Sequence, residues 1–166
     1  GNPAGLRWSN EKGSPVSLKV QDIDDTKNLS LYEYQNKMEG VKAPSVWFPH
    51  TLMGISTSDI NFFSDKMGPF EGQMVVGDQG HSKIMRVFQE KINGVYQGVC
   101  FPFREGFSSG VLRIINNPQY DAFYIGQTNR GWGSTGQSSY ALERISWTGK
   151  TPFEIKTIKI HPEGFL

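Results

Sequence analysis

Three groups of side chains in this sequence are of types that do chemistry. Asp78, Gln79 and His81 follow the apolar run Met74-Val75-Val76-Gly77. A carboxylate, an amide and an imidazole at a strand end can hold a ligand, because binding groups concentrate on loops and imidazole titrates near neutral pH. The rival reading is that such a loop uses Asp and Gly simply to turn. Gln127, Asn129, Arg130 and Trp132 occupy the matching place after Tyr124-Ile125-Gly126. They combine hydrogen-bond donors with a flat apolar ring, a mixture suited to sugar recognition, against the plainer reading of a solvated loop braced by Arg130. His50, in Phe48-Pro49-His50-Thr51, is a candidate base or metal ligand, weighed against a structural hydrogen bond.

Other chemistries find little to work with. Asp22, Asp24 and Asn28 have the oxygen ligands of a calcium loop but lack its central glycine and closing glutamate. His161 has only Glu163 beside it in sequence and reads as a surface residue. The single cysteine, Cys100 in Gly98-Val99-Cys100-Phe101, rules out an internal disulfide and reads as a small apolar side chain. No Ser–His–Asp order, phosphate-binding glycine loop or helix-borne His-Glu-x-x-His occurs. A net charge of +1 with scattered basic residues argues against nucleic acid as a partner, and no run of about 18 apolar residues is present to span a membrane.

The elements that position these groups are read as strands. Among 166 residues, 19 glycines, nine prolines and 13% aromatics sit beside few uninterrupted helix-forming stretches, which predicts an all-β fold of short strands and tight turns. Residues 1–43 read as an irregular excursion with one short helix near 28–39, residues 44–103 as one unit and residues 104–166 as a second. Aligning Val75-Val76-Gly77-Asp78 with Tyr124-Ile125-Gly126-Gln127 sets a period of about 49 residues, and Met85-Arg86-Val87 then matches Glu143-Arg144-Ile145 after nine further residues. A period near 40 to 50 is that of propeller blades, small twisted sheets that cover both faces by stacking around an axis. The expected core comprises Val75, Val76, Ile84, Met85, Phe123, Tyr124, Ile125, Leu142 and Ile145. Two blades cannot close a ring, and Gly1-Asn2-Pro3 reads like the interior of a longer protein. The remaining blades are therefore expected from a longer chain or, second, from sister subunits.

Phe70-Glu71-Gly72-Gln73-Met74-Val75-Val76-Gly77, Ile84-Met85-Arg86-Val87 and the Asn93-Gly94-Val95 turn resemble the late blades of the glucose/sorbosone dehydrogenases. Val46-Trp47-Phe48-Pro49-His50-Thr51, Gln127-Thr128-Asn129-Arg130-Gly131-Trp132 and Trp147-Thr148-Gly149-Lys150-Thr151-Pro152-Phe153 are similar to strings in large secreted relatives, whose propeller is often joined to a cytochrome-like domain. The resemblance implies a six-bladed β-propeller of which this chain is about two blades. It also implies a periplasmic or secreted location, a carbohydrate or alcohol substrate, and pyrroloquinoline quinone with calcium, or a haem acceptor. In the quinone enzymes a lysine follows the Val-Gly strand end and an arginine pair opens the next blade. Here those places carry Gly80-His81 and Phe107-Ser108-Ser109-Gly110, with Lys83 and Arg104 as the nearby cations. The family's catalytic histidine lies on an earlier blade, so no catalytic residue is carried over. The alternative function is a non-catalytic carbohydrate- or protein-binding module.

Overall fold

The computed structural model describes residues 44–149, apart from Pro118 and Tyr120, and the backbone of two short strands, β1 (Trp8–Ser9) and β2 (Pro15–Val16). The chain divides into two units, Gly1–Ser45 and Val46–Leu166. In the first, β1 and β2 pair antiparallel. The expected helix near 28–39, Asp22, Asp24, Asn28 and His161 lie outside the described residues.

Every named element among the described residues is a strand, and the second unit is built from two antiparallel sheets. The first sheet is the meander β3 (Thr57–Phe62), β4 (Met74–Asp78), β5 (Lys83–Ile92) and β6 (Val95–Arg104); the second is β7 (Val111–Asn117), β8 (Ala122–Thr128) and β9 (Tyr140–Ser146). Strand β4 is short, apolar and buried on both faces, which suits β-branched Val75 and Val76. Strands β5 and β6 are joined at Asn93-Gly94, where both residues have positive φ (50° and 84°), as a type I′ hairpin turn requires.

The two sheets repeat each other in register. Asn61, Val75 and Arg86 stand side by side across the first sheet, as Ile115, Tyr124 and Arg144 do across the second. Gly77 opposes Ile84, and Gly126 opposes Leu142. Each sheet also has an irregularity in its first strand at the same end, between Thr57 and Ile60 and between Val111 and Arg113. A bulge of this kind twists the strand locally.

Alternation along the strands fixes which residues meet between the sheets. Val75 and Ile84 pack against Val111, Ile114, Phe123 and Ile125, joined by Phe63, Met67 and Phe107. Phe63 lies edge-on to both Phe103 (5.1 Å) and Phe123 (5.3 Å). Burying each large side chain contributes roughly 1.5–3 kcal/mol. On the opposite face of the first sheet, Val76, Met85 and Val87 are covered by Val46, Phe48 and Met53.

Polar groups of β3 complete the junction. Ser58 donates to the Val111 carbonyl (2.8 Å) and Asn61 Nδ2 to the Ile114 carbonyl (3.0 Å), while Asp59 accepts the Ile114 N–H (3.0 Å). The same Asp59 and Asn61 side chains accept the N–H groups of Ile60 and Phe62, so β3 caps its own open edge.

Two residues of the expected core are placed differently. Leu142 is 72% exposed and Tyr124 is half-buried. Both point to the side of the second sheet away from the first, where no described element covers them. The repeat assigned them correctly to a strand but could not tell an inner face from an outer one.

Candidate functional site

The turn Gln79–Ser82 after β4, the loop 129–139 after β8, the crossover 105–110 and the segment 50–56 meet at one end of the two sheets. Nine of the ten candidate residues are tied into this end by their own atoms or their position on its strands, and His50 lies exposed on the adjoining turn, bridged through its backbone to Gly54.

Asp78 is fully buried at the end of β4. Its Oδ1 accepts the N–H groups of Ile55 (3.0 Å) and Ser56 (2.7 Å), and its Oδ2 accepts the His81 N–H (2.9 Å) and lies 2.7 Å from His81 Nδ1. A carboxylate oxygen accepts, so Nδ1 carries the proton and the tautomer is fixed with Nε2 unprotonated in the neutral ring. Asp78 thereby fastens the 55–56 backbone and the 79–82 turn to the same strand end. Gln79 is also buried; its Nε2 donates to the carbonyls of Thr128 (3.2 Å) and Trp132 (2.7 Å), reaching from the first sheet to the loop of the second. Lys83 is buried with its ammonium on the Leu52 carbonyl (2.8 Å) and 3.9 Å from Glu105. Gln127 is buried too, its Oε1 accepting the Ser109 N–H (2.8 Å).

The 129–139 loop is stitched down along its length. Besides the Gln79 bonds, Thr135 N–H reaches the Gly80 carbonyl (3.0 Å), Gly136 N–H the Ser82 hydroxyl (2.8 Å), and Ser138 N–H the Ser108 carbonyl (2.9 Å). Asn129 N–H bonds the Ser139 carbonyl and Arg130 N–H the Thr128 hydroxyl, closing the loop on itself. Glycine is needed where these segments touch. A Cβ on Gly110 would sit 2.5 Å from the Gln79 carbonyl oxygen and 2.7 Å from that of Thr128, and one on Gly136 would meet the Ser108 backbone. The braced loop leaves the Arg130 side chain exposed and the Trp132 side chain 65% exposed.

Sequence reasoning missed Ser82, Ser108, Gly110 and Glu143. Glu143 accepts the Ser108 N–H (2.9 Å). Burial works to raise its carboxyl, but the hydrogen bonds from Ser108 and Gln127 and the charge of Arg104 outweigh it and hold the group below its ordinary range. Arg104 itself is exposed. The available signal was glycine, since Gly110 and Gly136 mark the close approaches. Cys100 donates its thiol to the Trp47 carbonyl (3.2 Å); burial pushes the thiol up, against its own backbone hydrogen bond and the Lys83 charge, which makes it a poor nucleophile.

The donor set does not fit pyrroloquinoline quinone with calcium. Lys83, the cation nearest the family position, is turned inward onto a carbonyl, and Asp78 has both oxygens engaged. Among the described residues no three His, Cys, Asp or Glu side chains converge as a metal site would require. Nor does any described helix have the length and apolar character to cross a membrane.

The chain matches no family model, and no curated protein or solved structure matches it significantly. Among the described residues the fold is all-β, and the second unit is built from two antiparallel sheets.

Proposed function

We propose that this chain is part of a β-propeller and that the sheet end carrying the 129–139 loop is a carbohydrate-binding platform rather than a redox centre. The propeller reading is supported by the two meanders, which share a register and an irregularity at the same end, and by the order of the first sheet, since a blade is a four-stranded antiparallel meander. The binding reading is carried by one observation. The polar side chains suited to hold a cofactor are buried, and Asp78, the Gln79 Nε2, the Lys83 ammonium and the Gln127 Oε1 are each engaged with backbone groups, so that what they brace is a loop offering an exposed Trp132. An indole face packs well against the C–H face of a sugar ring, and Asn129 and Arg130 supply donors beside it. Holding the ring on a fixed loop reduces the ordering cost of binding. As in the family it resembles, the protein would act outside the cytoplasm.

The redox reading rests on the exposed cation Arg104, close enough to act on Glu143. Calorimetric titration with mono- and oligosaccharides, on the parent chain and on Trp132→Ala, separates the two. Saturable binding that weakens at least about tenfold in Trp132→Ala is expected, a loss of about 1.4 kcal/mol. Reduction of a dye by the chain loaded with pyrroloquinoline quinone and calcium in the presence of an aldose would overturn the proposal, as would equal sugar binding by Trp132→Ala.

A further inference from the structure

Among the described residues the buried polar and charged side chains are Asp78, Gln79, Ser82, Lys83, Ser109 and Gln127. All of them stand at one end of the two sheets, on the end of β4, the 79–82 turn, the start of β5, the crossover and the end of β8. Farther along the junction the buried side chains are apolar, Ile84, Ile114, Phe123 and Ile125 among them. The sheets therefore meet through a polar seam at one end and an apolar one beyond it.

A buried polar group ordinarily finds a hydrogen-bond partner, and two atoms of this seam find none within the protein. Gln79 Nε2 donates to the Thr128 and Trp132 carbonyls, so turning the amide over would set its oxygen against two oxygens. Its Oε1 is thereby fixed in place as an acceptor, and no donor among the described residues reaches it. The hydroxyl of the fully buried Ser109 is likewise without a partner there. Gln127 holds the Ser109 N–H with its Oε1 and turns its Nε2 toward Glu143, so it relieves neither. The two residues are neighbours through Gly110. A Cβ on that glycine would lie 2.8 Å from Gln79 Cγ, and its carbonyl accepts the Thr128 N–H (2.8 Å), while Thr128 gives its own carbonyl to Gln79.

We propose that an internal water molecule is a fixed part of this seam, donating to Gln79 Oε1 and bonded to the Ser109 hydroxyl. Three considerations select water. Gln79 Oε1 only accepts and a hydroxyl both donates and accepts, so one water serves the two, and leaving both bonds unmade costs more than immobilising it. A cation is disfavoured, because both Asp78 oxygens are engaged with N–H groups and the buried Lys83 ammonium already stands at this end. A larger ligand is refused by the packing, since a Cβ on Gly110 or Gly136 would already strike the facing backbone. The carbonyls of Gln79 and Thr128, which face each other across Gly110, offer further acceptors of the kind that line such sites. The water joins the side chain that holds the Trp132 carbonyl to the crossover between the sheets. The inference does not depend on what binds at Trp132.

A high-resolution crystal structure of the chain tests it directly. A well-ordered water within about 3.2 Å of both Gln79 Oε1 and Ser109 Oγ is expected. A direct bond between those two atoms, a metal ion between them, or a seam in which they share no ordered water would overturn the proposal. Oxygen-17 magnetic relaxation dispersion reads the same site in solution, because it registers waters held far longer than those on the surface. Ser109→Ala removes a single oxygen, with circular dichroism checking that the fold is kept, and should hold one long-lived water fewer than the parent chain. An equal number in the two chains would overturn it as well.

Discussion

Replacing Asp78 removes the most heavily used side chain at the sheet end. It accepts three backbone N–H groups, from Ile55, Ser56 and His81, and also the His81 ring N–H, while being fully buried. Leaving a buried donor without its acceptor costs about 1–3 kcal/mol, and the partial exposure of the 55–56 backbone lets water recover some of it. Asp78→Ala should therefore lose about 3–5 kcal/mol, a large part of the ~5–15 kcal/mol typical of a domain. Asp78→Asn keeps the volume and one acceptor. If its carbonyl faces Ile55 and Ser56, its NH2 opposes the His81 backbone N–H, while the neutral His81 ring can carry its proton on Nε2 and accept at Nδ1, so it should lose about half as much. Urea unfolding followed by circular dichroism at neutral pH measures both. A loss below about 1 kcal/mol in both variants would refute the reasoning, because a carboxylate free to bind a ligand, rather than one holding the frame, would be dispensable for folding.

Three further outcomes follow from the same contacts. Gly110→Ala should cost about 1–3 kcal/mol in a thermal or urea melt, because its Cβ meets two backbone carbonyls that cannot rotate away. Ile125→Ala, in the fully buried junction, should cost about 2–5 kcal/mol by the same measurement. Glu143 has a folded-state pKa held below its ordinary 4.5, so the stability it contributes is present above that pH and is lost as the pH falls through the folded value. Unfolding curves taken from pH 6 downward should show the parent chain losing its advantage over Glu143→Gln below about pH 4.5.

The strands were legible because their residues are. Met74-Val75-Val76 and Ala122-Phe123-Tyr124-Ile125 are apolar and β-branched or aromatic, and the glycine at the same place in each allowed the repeat to be aligned without coordinates. The misplacement of Leu142 shows the limit. Repetition predicts that it matches Ile84, which is right, but burial depends on whether a further sheet lies beyond it. The candidate residues that follow β4 and β8 lie together at one end of the sheets, and for Asp78, Gln79, Lys83 and Gln127 the observed bonds hold the backbone of neighbouring segments. Their partners are backbone groups of segments that the chain brings in from elsewhere, such as the Leu52 carbonyl and the Ser109 N–H. Backbone polarity is the same at every residue, so no side-chain pattern announces which carbonyl or N–H will need a partner. The bracing of the 129–139 loop by Gly80 and Ser82 was invisible for the same reason, whereas the exposed Trp132 was legible from its type and its loop.

On the function proposed, the braced loop holds Trp132 as a ligand platform. The most direct measurement is the 15N–1H spectrum of the chain, in which the indole Nε1–H signals of its four tryptophans report separately. Addition of a binding oligosaccharide should shift the Trp132 signal in a saturable way while the other three stay in place. A saturable shift at another tryptophan with Trp132 unmoved would contradict the account.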